Sequence, residues 1–314
     1  MEIRNLGRSG LRVSVVGLGC NNFGGRIDLE ASRKVIDAAI DQGITLFDTS
    51  NTYGNRGGSE TAMGEILGAR RKDIVLATKF GGPMDDDGVK VGAARRYIMA
   101  AVEDSLTRLK TDYIDLYQLH RPDPLTPIEE TLRALEDLIR QGKVRYAGCS
   151  NLAGWQVVES AWTARDVGAF PFVSAQDEYS LVVRDIEREL IPAAKTYGMG
   201  LLPYYPLGSG LLTGKFRQGT EMPKGTRLAN EKRQADRYLT DANWTIVEGL
   251  RSFAEARGHR LLELAFSWLA CREPVASVIA GATKPEQVVQ NVKAAGWALT
   301  AEDMAEIDRI SGRA

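Results

Sequence analysis

The chain has 314 residues, 44% of them hydrophobic and 26% charged, with a formal net charge of −1. That balance excludes a global field that would gather nucleic acid or an anionic membrane. The sequence contains no apolar N-terminal h-region and no apolar run of about 18 residues, so neither a secretory signal nor a membrane span is expected, and a cytoplasmic protein is.

In chain order, "EIRNLGRSGLRVS" reads as a small hairpin turned at Arg8-Ser9-Gly10. Short apolar, β-rich runs follow at 13–19, 44–48, 73–79, 113–120, 144–150, 172–176, 198–204 and 275–281. Between and after them lie amphipathic stretches. "LEASRKVIDAAIDQG" (29–43) carries Ala31, Val35, Ile36, Ala38, Ala39 and Ile40 at helical spacing and stops at a glycine. Helices are also predicted over 97–110 and 127–143, the latter with Pro127 in its first turn and Gly142 at its end. Others fall at about 154–167, 184–197, 241–257, 260–271, 285–295 and 301–310. The longest irregular stretch is 205–240. Such a long loop in a compact domain is usually functional.

Eight strands alternating with helices predict an α/β fold, a (β/α)8 TIM barrel with a short N-terminal β-hairpin and an additional C-terminal helix, occupying 1–314 as a single domain. Parallel barrel strands are buried on both faces, which accounts for their unbroken apolar character. An open doubly wound sheet would place a GxGxxG turn after the first strand, and "GLGCNNFGG" lacks that spacing. Cys20, Cys149 and Cys271 are scattered and outside any CxxC spacing, which fits a reducing compartment. With only His120 and His259 present, no metal site is expected.

Polar residues recur at the predicted strand ends: Asp48, Lys79, His120, Ser150 with Asn151, Gln176, Tyr204 and Gly281. In a barrel these ends share one rim, where active sites sit. Taken singly each has a plain structural role: a turn cap for Asp48, a solvated rim charge for Lys79, a loop aromatic for Tyr53. Together they make coherent chemistry. A phenol is a poor acid near neutrality. The Lys79 ammonium is expected to lower its pKa, with Asp48 holding that ammonium. His120 is within the same predicted rim and suits a hydrogen bond to the phenol or to a substrate oxygen. Such a group protonates an oxygen on which negative charge develops.

"FDTSNTYG", "LATK", "DLYQLH", "GCSN", "LLPYYPLGSGLLTGK" and "SVIAGATKPEQVVQN" resemble, in order and spacing, the signatures of the aldo-keto reductase superfamily, over essentially the whole chain. The resemblance implies NADP(H)-dependent reduction of an aldehyde or ketone to the alcohol, with a catalytic tetrad of Asp48, Tyr53, Lys79 and His120 and Tyr53 as general acid. It implies NADPH as cofactor and a small carbonyl compound as partner. Ser150, Asn151 and Gln176 resemble the residues that hold the cofactor's carboxamide, and Tyr204 the aromatic that stacks on its ring. Tyr205, Pro206, Leu207 and Gly208, with Lys215 beyond, resemble the pyrophosphate loop. Cys20 and Asn21 fall where the family touches the ribose, replacing a Thr-Trp pair seen in some members. Gly281, Thr283, Lys284, Gln287 and Asn291 resemble the adenosine-end site. Pro285 opens a helix there, and a positive helix N-terminus suits phosphate independently of any resemblance. Arg227 is expected to add a second charge. Asn22, Phe23, Tyr53, His120, Tyr179 and Tyr205 are expected to wall the substrate pocket. Because some relatives act as ion-channel subunits, the alternative is a nicotinamide-binding regulatory subunit with little or no turnover. That alternative calls for an extra N-terminal segment or a partner surface.

Overall fold

The structure, a computed structural model, describes residues 1–312. It opens on an antiparallel hairpin of β1 (Ile3–Asn5) and β2 (Arg12–Ser14), with Leu6 N–H donating to the Leu11 carbonyl at 2.8 Å across the turn. Eight parallel strands follow: β3 (Val16–Gly19), β4 (Leu46–Asp48), β5 (Val75–Phe80), β6 (Ile114–Leu119), β7 (Val144–Ser150), β8 (Ser174–Glu178), β9 (Gly200–Tyr204) and β10 (Val278–Gly281). Neighbours run in chain order from β3 to β9, and β10 pairs with β3. At the last seam Leu201 N–H donates to the Pro274 carbonyl and Ala276 N–H to the Leu201 carbonyl, both at 2.9 Å. This is the expected (β/α)8 barrel, and the additional C-terminal helix is Ala301–Ile310.

Two apolar clusters hold it. The larger fills the space between strands and surrounding helices. The smaller is the barrel interior: Leu46, Ala77, Leu116, Leu202 and Ile279, floored by Leu6, Leu11 and Val13 of the hairpin. Gly7 lets that floor seal. It has φ +60°, and a Cβ there would meet the Gly198 carbonyl at 2.4 Å. Side chains on a strand return to the same face every second residue. Two residues past the apolar layer therefore stand Asp48, Lys79, Gln118 and Gly281. The pleat lifts the interior from an oily layer to a polar one at the C-terminal rim.

Several predicted elements differ. The 13–19 run divides: Val13 and Ser14 belong to the hairpin, and the barrel strand begins at Val16. The sixth barrel strand runs to Glu178, so Gln176 lies within it rather than at its end. The stretch 184–197 resolves into a 3-10 turn, Asp185–Glu187, and a helix, Leu190–Tyr197. A helix not foreseen covers Tyr53–Leu67, regular only after Gly54, Asn55, Arg56 and Gly57, which have φ of +65°, +59°, +65° and +112°. Its glycines hide it, because glycine is a poor helix former. Packing demands one of them: a Cβ on Gly64 would sit 2.2 Å from the Arg108 carbonyl oxygen. The irregular 205–240 stretch holds two short helices, Arg227–Asn230 and Lys232–Tyr238.

Candidate active site

A cleft of about 960 Å³ opens at the C-terminal rim. At its floor Lys79 and Asp48 are buried, 0% and 3% exposed. The Lys79 ammonium donates to Asp48 Oδ2 at 2.6 Å, to the Thr49 carbonyl at 2.9 Å and to the Tyr53 hydroxyl at 3.5 Å. Burial works against its charge, but Asp48 and Tyr53 outweigh burial and hold its pKa above the ordinary lysine value. The other carboxylate oxygen of Asp48 accepts from Gln118 Nε2 at 3.1 Å and from Gln176 Nε2 at 2.9 Å. A carboxylate with that many charge-assisted and amide donors is held in one geometry.

Tyr53 is half-buried, and its ring meets His120 edge-on with centroids 5.8 Å apart. Here the electrostatics depart from the sequence expectation. Burial raises the phenol's pKa above its ordinary value, and the opposing pull of Lys79 is the smaller effect. Tyr53 therefore keeps its proton through the neutral range, and Lys79 limits how weak an acid it becomes. His120 is the opposite case: burial first, then the charges of Lys79 and Arg121, push its pKa down to about 3. The ring is neutral at physiological pH.

Beyond the floor, Ser150, Asn151, Gln176, Tyr204, Tyr205, Pro206 and Leu207 line the cleft, as do Cys20 and Asn21. Asn151 is fully engaged within the protein. Its Nδ2 donates to the His120 carbonyl at 2.9 Å and to Ser150 Oγ at 3.0 Å, and its Oδ1 accepts from the Tyr204 hydroxyl at 2.8 Å. Gln176 spends its amide protons on Asp48 and on Gln118 Oε1, the latter at 3.3 Å, and its side-chain oxygen Oε1 has no hydrogen-bond partner among the described residues. At the far end Gly281, Thr283, Lys284, Gln287 and Asn291 line the wall. Thr283 N–H donates to Gln287 Oε1 at 2.7 Å, just before the helix Pro285–Ala294. Lys215 also lines the cleft, its pKa lowered by burial and then by Arg26. Arg227 reaches across to Asn22 Oδ1 at 3.3 Å.

Three expected positions fall elsewhere. Phe23 and Tyr179 are fully buried and do not line the cleft. The Tyr179 ring packs on Trp268 at 5.0 Å and its hydroxyl donates to Glu187 at 2.6 Å, so it belongs to the core. Gly208 lies beneath the loop while Ser209 and Gly210 form its surface. Asn22 does line the cleft, but on the Gly281 side, with its Nδ2 donating to the Ala282 carbonyl at 3.1 Å. Sequence reasoning missed Gln118, Ser50, Arg26 and Arg121. Gln118 was open to discovery, because it stands two residues before His120 in a strand whose odd and even positions face opposite ways. It also missed Glu178, which anchors Arg237 and Tyr238 and so holds the helix Lys232–Tyr238 at the cleft's edge.

Seven lysines and arginines line the cleft against two acids, Asp48 and Glu178, and both acids are already paired. In a chain of net charge −1 this is a local positive basin. A barrel whose C-terminal rim carries a buried Asp-Lys pair, a phenol and a cationic cleft belongs to the rim-site class of (β/α)8 proteins. The chain is a member of the aldo/keto reductase family: the family's sequence profile matches residues 15–311. It is 36% identical over 324 residues to the uncharacterized oxidoreductase YrpG of Bacillus subtilis (strain 168), covering 99% of this chain and 96% of that protein. It is 33% identical over 321 residues to L-glyceraldehyde 3-phosphate reductase of Escherichia coli (strain K12), covering 98% and 92%. It is also 40% identical over 303 residues to a probable voltage-gated potassium channel subunit beta of Oryza sativa subsp. japonica, covering 94% and 91%. Among the described residues no helix is long and apolar enough to cross a membrane.

Proposed function

We propose that the protein reduces an aldehyde or ketone to the alcohol, using NADPH, with Tyr53 as general acid assisted by Lys79, Asp48 and His120. The observation that carries this is the floor of the cleft: a phenol beside a buried ammonium, with the ammonium clamped at 2.6 Å by a carboxylate. When bound, the cofactor supplies the hydride that the carbonyl carbon must accept. The protein's part is the oxygen. Tyr53 gives its proton to the carbonyl oxygen as negative charge grows there, and Lys79 stabilises the phenolate left behind. Asp48 keeps Lys79 charged and in place.

The donor set suits the cofactor. The free carbonyl of Gln176 matches an amide N–H₂. Lys215, Arg227 and Lys284, with the helix N-terminus at Pro285, match phosphate. The similarity to proteins named oxidoreductase and reductase supports turnover. The similarity to a protein named as a potassium channel subunit favours a second reading, in which the same cleft binds nicotinamide and the chain regulates a partner with little turnover. NADPH oxidation followed spectrophotometrically across a panel of aldehydes, sugars and keto compounds separates them. Saturable turnover with any of these carbonyls supports the reductase. Tight NADPH binding with no turnover on any of them supports the regulatory reading.

A further inference from the structure

Ser50 lies between Asp48 and Tyr53 in the chain and is 0% exposed. Its hydroxyl oxygen stands 3.1 Å from His120 Nδ1, 3.0 Å from Thr52 Oγ1 and 3.4 Å from Asn51 Oδ1, and it accepts from Thr52 N–H at 3.3 Å. A serine hydroxyl has one proton and two lone pairs. Thr52 can fill both lone pairs, one with its backbone N–H and one with its own hydroxyl, which has no other partner among the described residues. That leaves Ser50 with a proton to place. Asn51 Oδ1 is the more distant acceptor. The nearer one is Nδ1 of His120.

We propose that Ser50 is a positioning residue that holds His120 in its Nε2–H tautomer, so that the ring presents a donor to the cleft beside the Tyr53 hydroxyl. A neutral imidazole carries one N–H and one lone pair, and the hydrogen bond made by one nitrogen decides the state of the other. The His120 backbone is anchored on both sides. Its N–H donates to the Phe80 carbonyl at 2.9 Å and its carbonyl accepts from Asn151 at 2.9 Å. Nε2 has no partner among the described residues, and the residue lines the cleft. With the proton on Nε2, two donors converge on an oxygen that gains negative charge. With the proton on Nδ1, a lone pair faces that oxygen and repels it. The catalytic consequence rests on the proposed carbonyl reduction. The tautomer does not.

The test uses [¹⁵N]histidine-labelled protein and long-range ¹H–¹⁵N correlation at neutral pH. The chain has two histidines, His120 and His259, so two ring patterns appear and His259→Gln assigns them. The expected pattern for His120 is a pyrrole-like Nε2 and a pyridine-like Nδ1. Ser50→Ala is expected to erode that preference and lower kcat by up to about a hundredfold, the scale of one lost oxyanion donor, with the Kd for NADPH unchanged. Ser50→Thr, which keeps the hydroxyl, is expected to restore the wild-type ring pattern. A wild-type His120 protonated on Nδ1, or a Ser50→Ala protein with an unaltered ring pattern, overturns the proposal. A Nε2–H ring in a protein that turns over no carbonyl upholds the tautomer and removes the reductase reading.

Discussion

Lys79 and Asp48 form an ion pair at 2.6 Å with side chains 1% and 4% exposed, on adjacent barrel strands. Both charges have left water, and each is tolerable only because the other is there. Asp48 gains two further donors from Gln118 and Gln176, and Lys79 gains the Thr49 carbonyl. The pair is thus a piece of structure as well as a part of the proposed catalytic machinery.

Removing one partner strands the other. Lys79→Met should destabilise the fold by about 3–5 kcal/mol, the usual result of leaving a buried charge uncompensated. Adding Asp48→Asn to that variant should recover part of the loss, so the two effects are not additive. Urea midpoints of the two single variants and the double variant measure this. Additive losses would mean that the two residues do not depend on each other.

His120 makes the protein acid-sensitive in a defined window. Its folded pKa lies at about 3, below the ordinary 6.5. Below 6.5 the unfolded chain takes up a proton at this residue while the folded chain does not. Stability is therefore unaffected by His120 above 6.5 and is lost as pH falls from there toward 3. The loss is about 2 kcal/mol by pH 5, and replacement by Asn should remove that share. Thermal unfolding of both proteins at pH 7.5 and pH 5 checks it. The same shift predicts no histidine limb near pH 6.5 in the rate profile.

The far end of the cleft should discriminate between cofactors. Lys284 and Arg227 line the cleft; on the proposed reading they meet a 2′-phosphate, so NADPH should bind more tightly than NADH. A charge-assisted contact of this kind is worth about 1.5–3 kcal/mol, or roughly ten- to a hundred-fold in Kd. Lys284→Ala should narrow the gap by weakening NADPH and leaving NADH alone. Fluorescence titration of both cofactors on both proteins gives the answer, and equal Kd values in the wild type would refute the assignment.

What the sequence made legible follows from strand periodicity. Asp48, Lys79 and His120 could be assigned to one rim because strand ends in a barrel share a rim whatever their distance in sequence. Burial could not be seen. Phe23 and Tyr179 are aromatic residues near rim segments, and nothing in their neighbours tells a cleft wall from a core position. The glycines at 54, 57, 58 and 64 disguised a helix, because close approach to Gly24, Arg108 and Leu109 decides that segment rather than propensity. The direction of the Tyr53 shift was hidden for the same reason. The lysine is visible in the chain, but the desolvation that outweighs it is a property of the folded site.

The proposed reduction depends on Tyr53 delivering the proton. Tyr53→Phe removes only the hydroxyl and leaves the ring beside His120. The most direct measurement is single-turnover reduction of one good aldehyde by the NADPH-loaded Tyr53→Phe protein, with the Kd for NADPH taken in parallel. An unchanged Kd and a rate lowered by roughly 10²–10⁴, the usual worth of a positioned general acid, are expected. A variant that binds NADPH normally and keeps more than about a tenth of the wild-type rate would contradict that role for Tyr53.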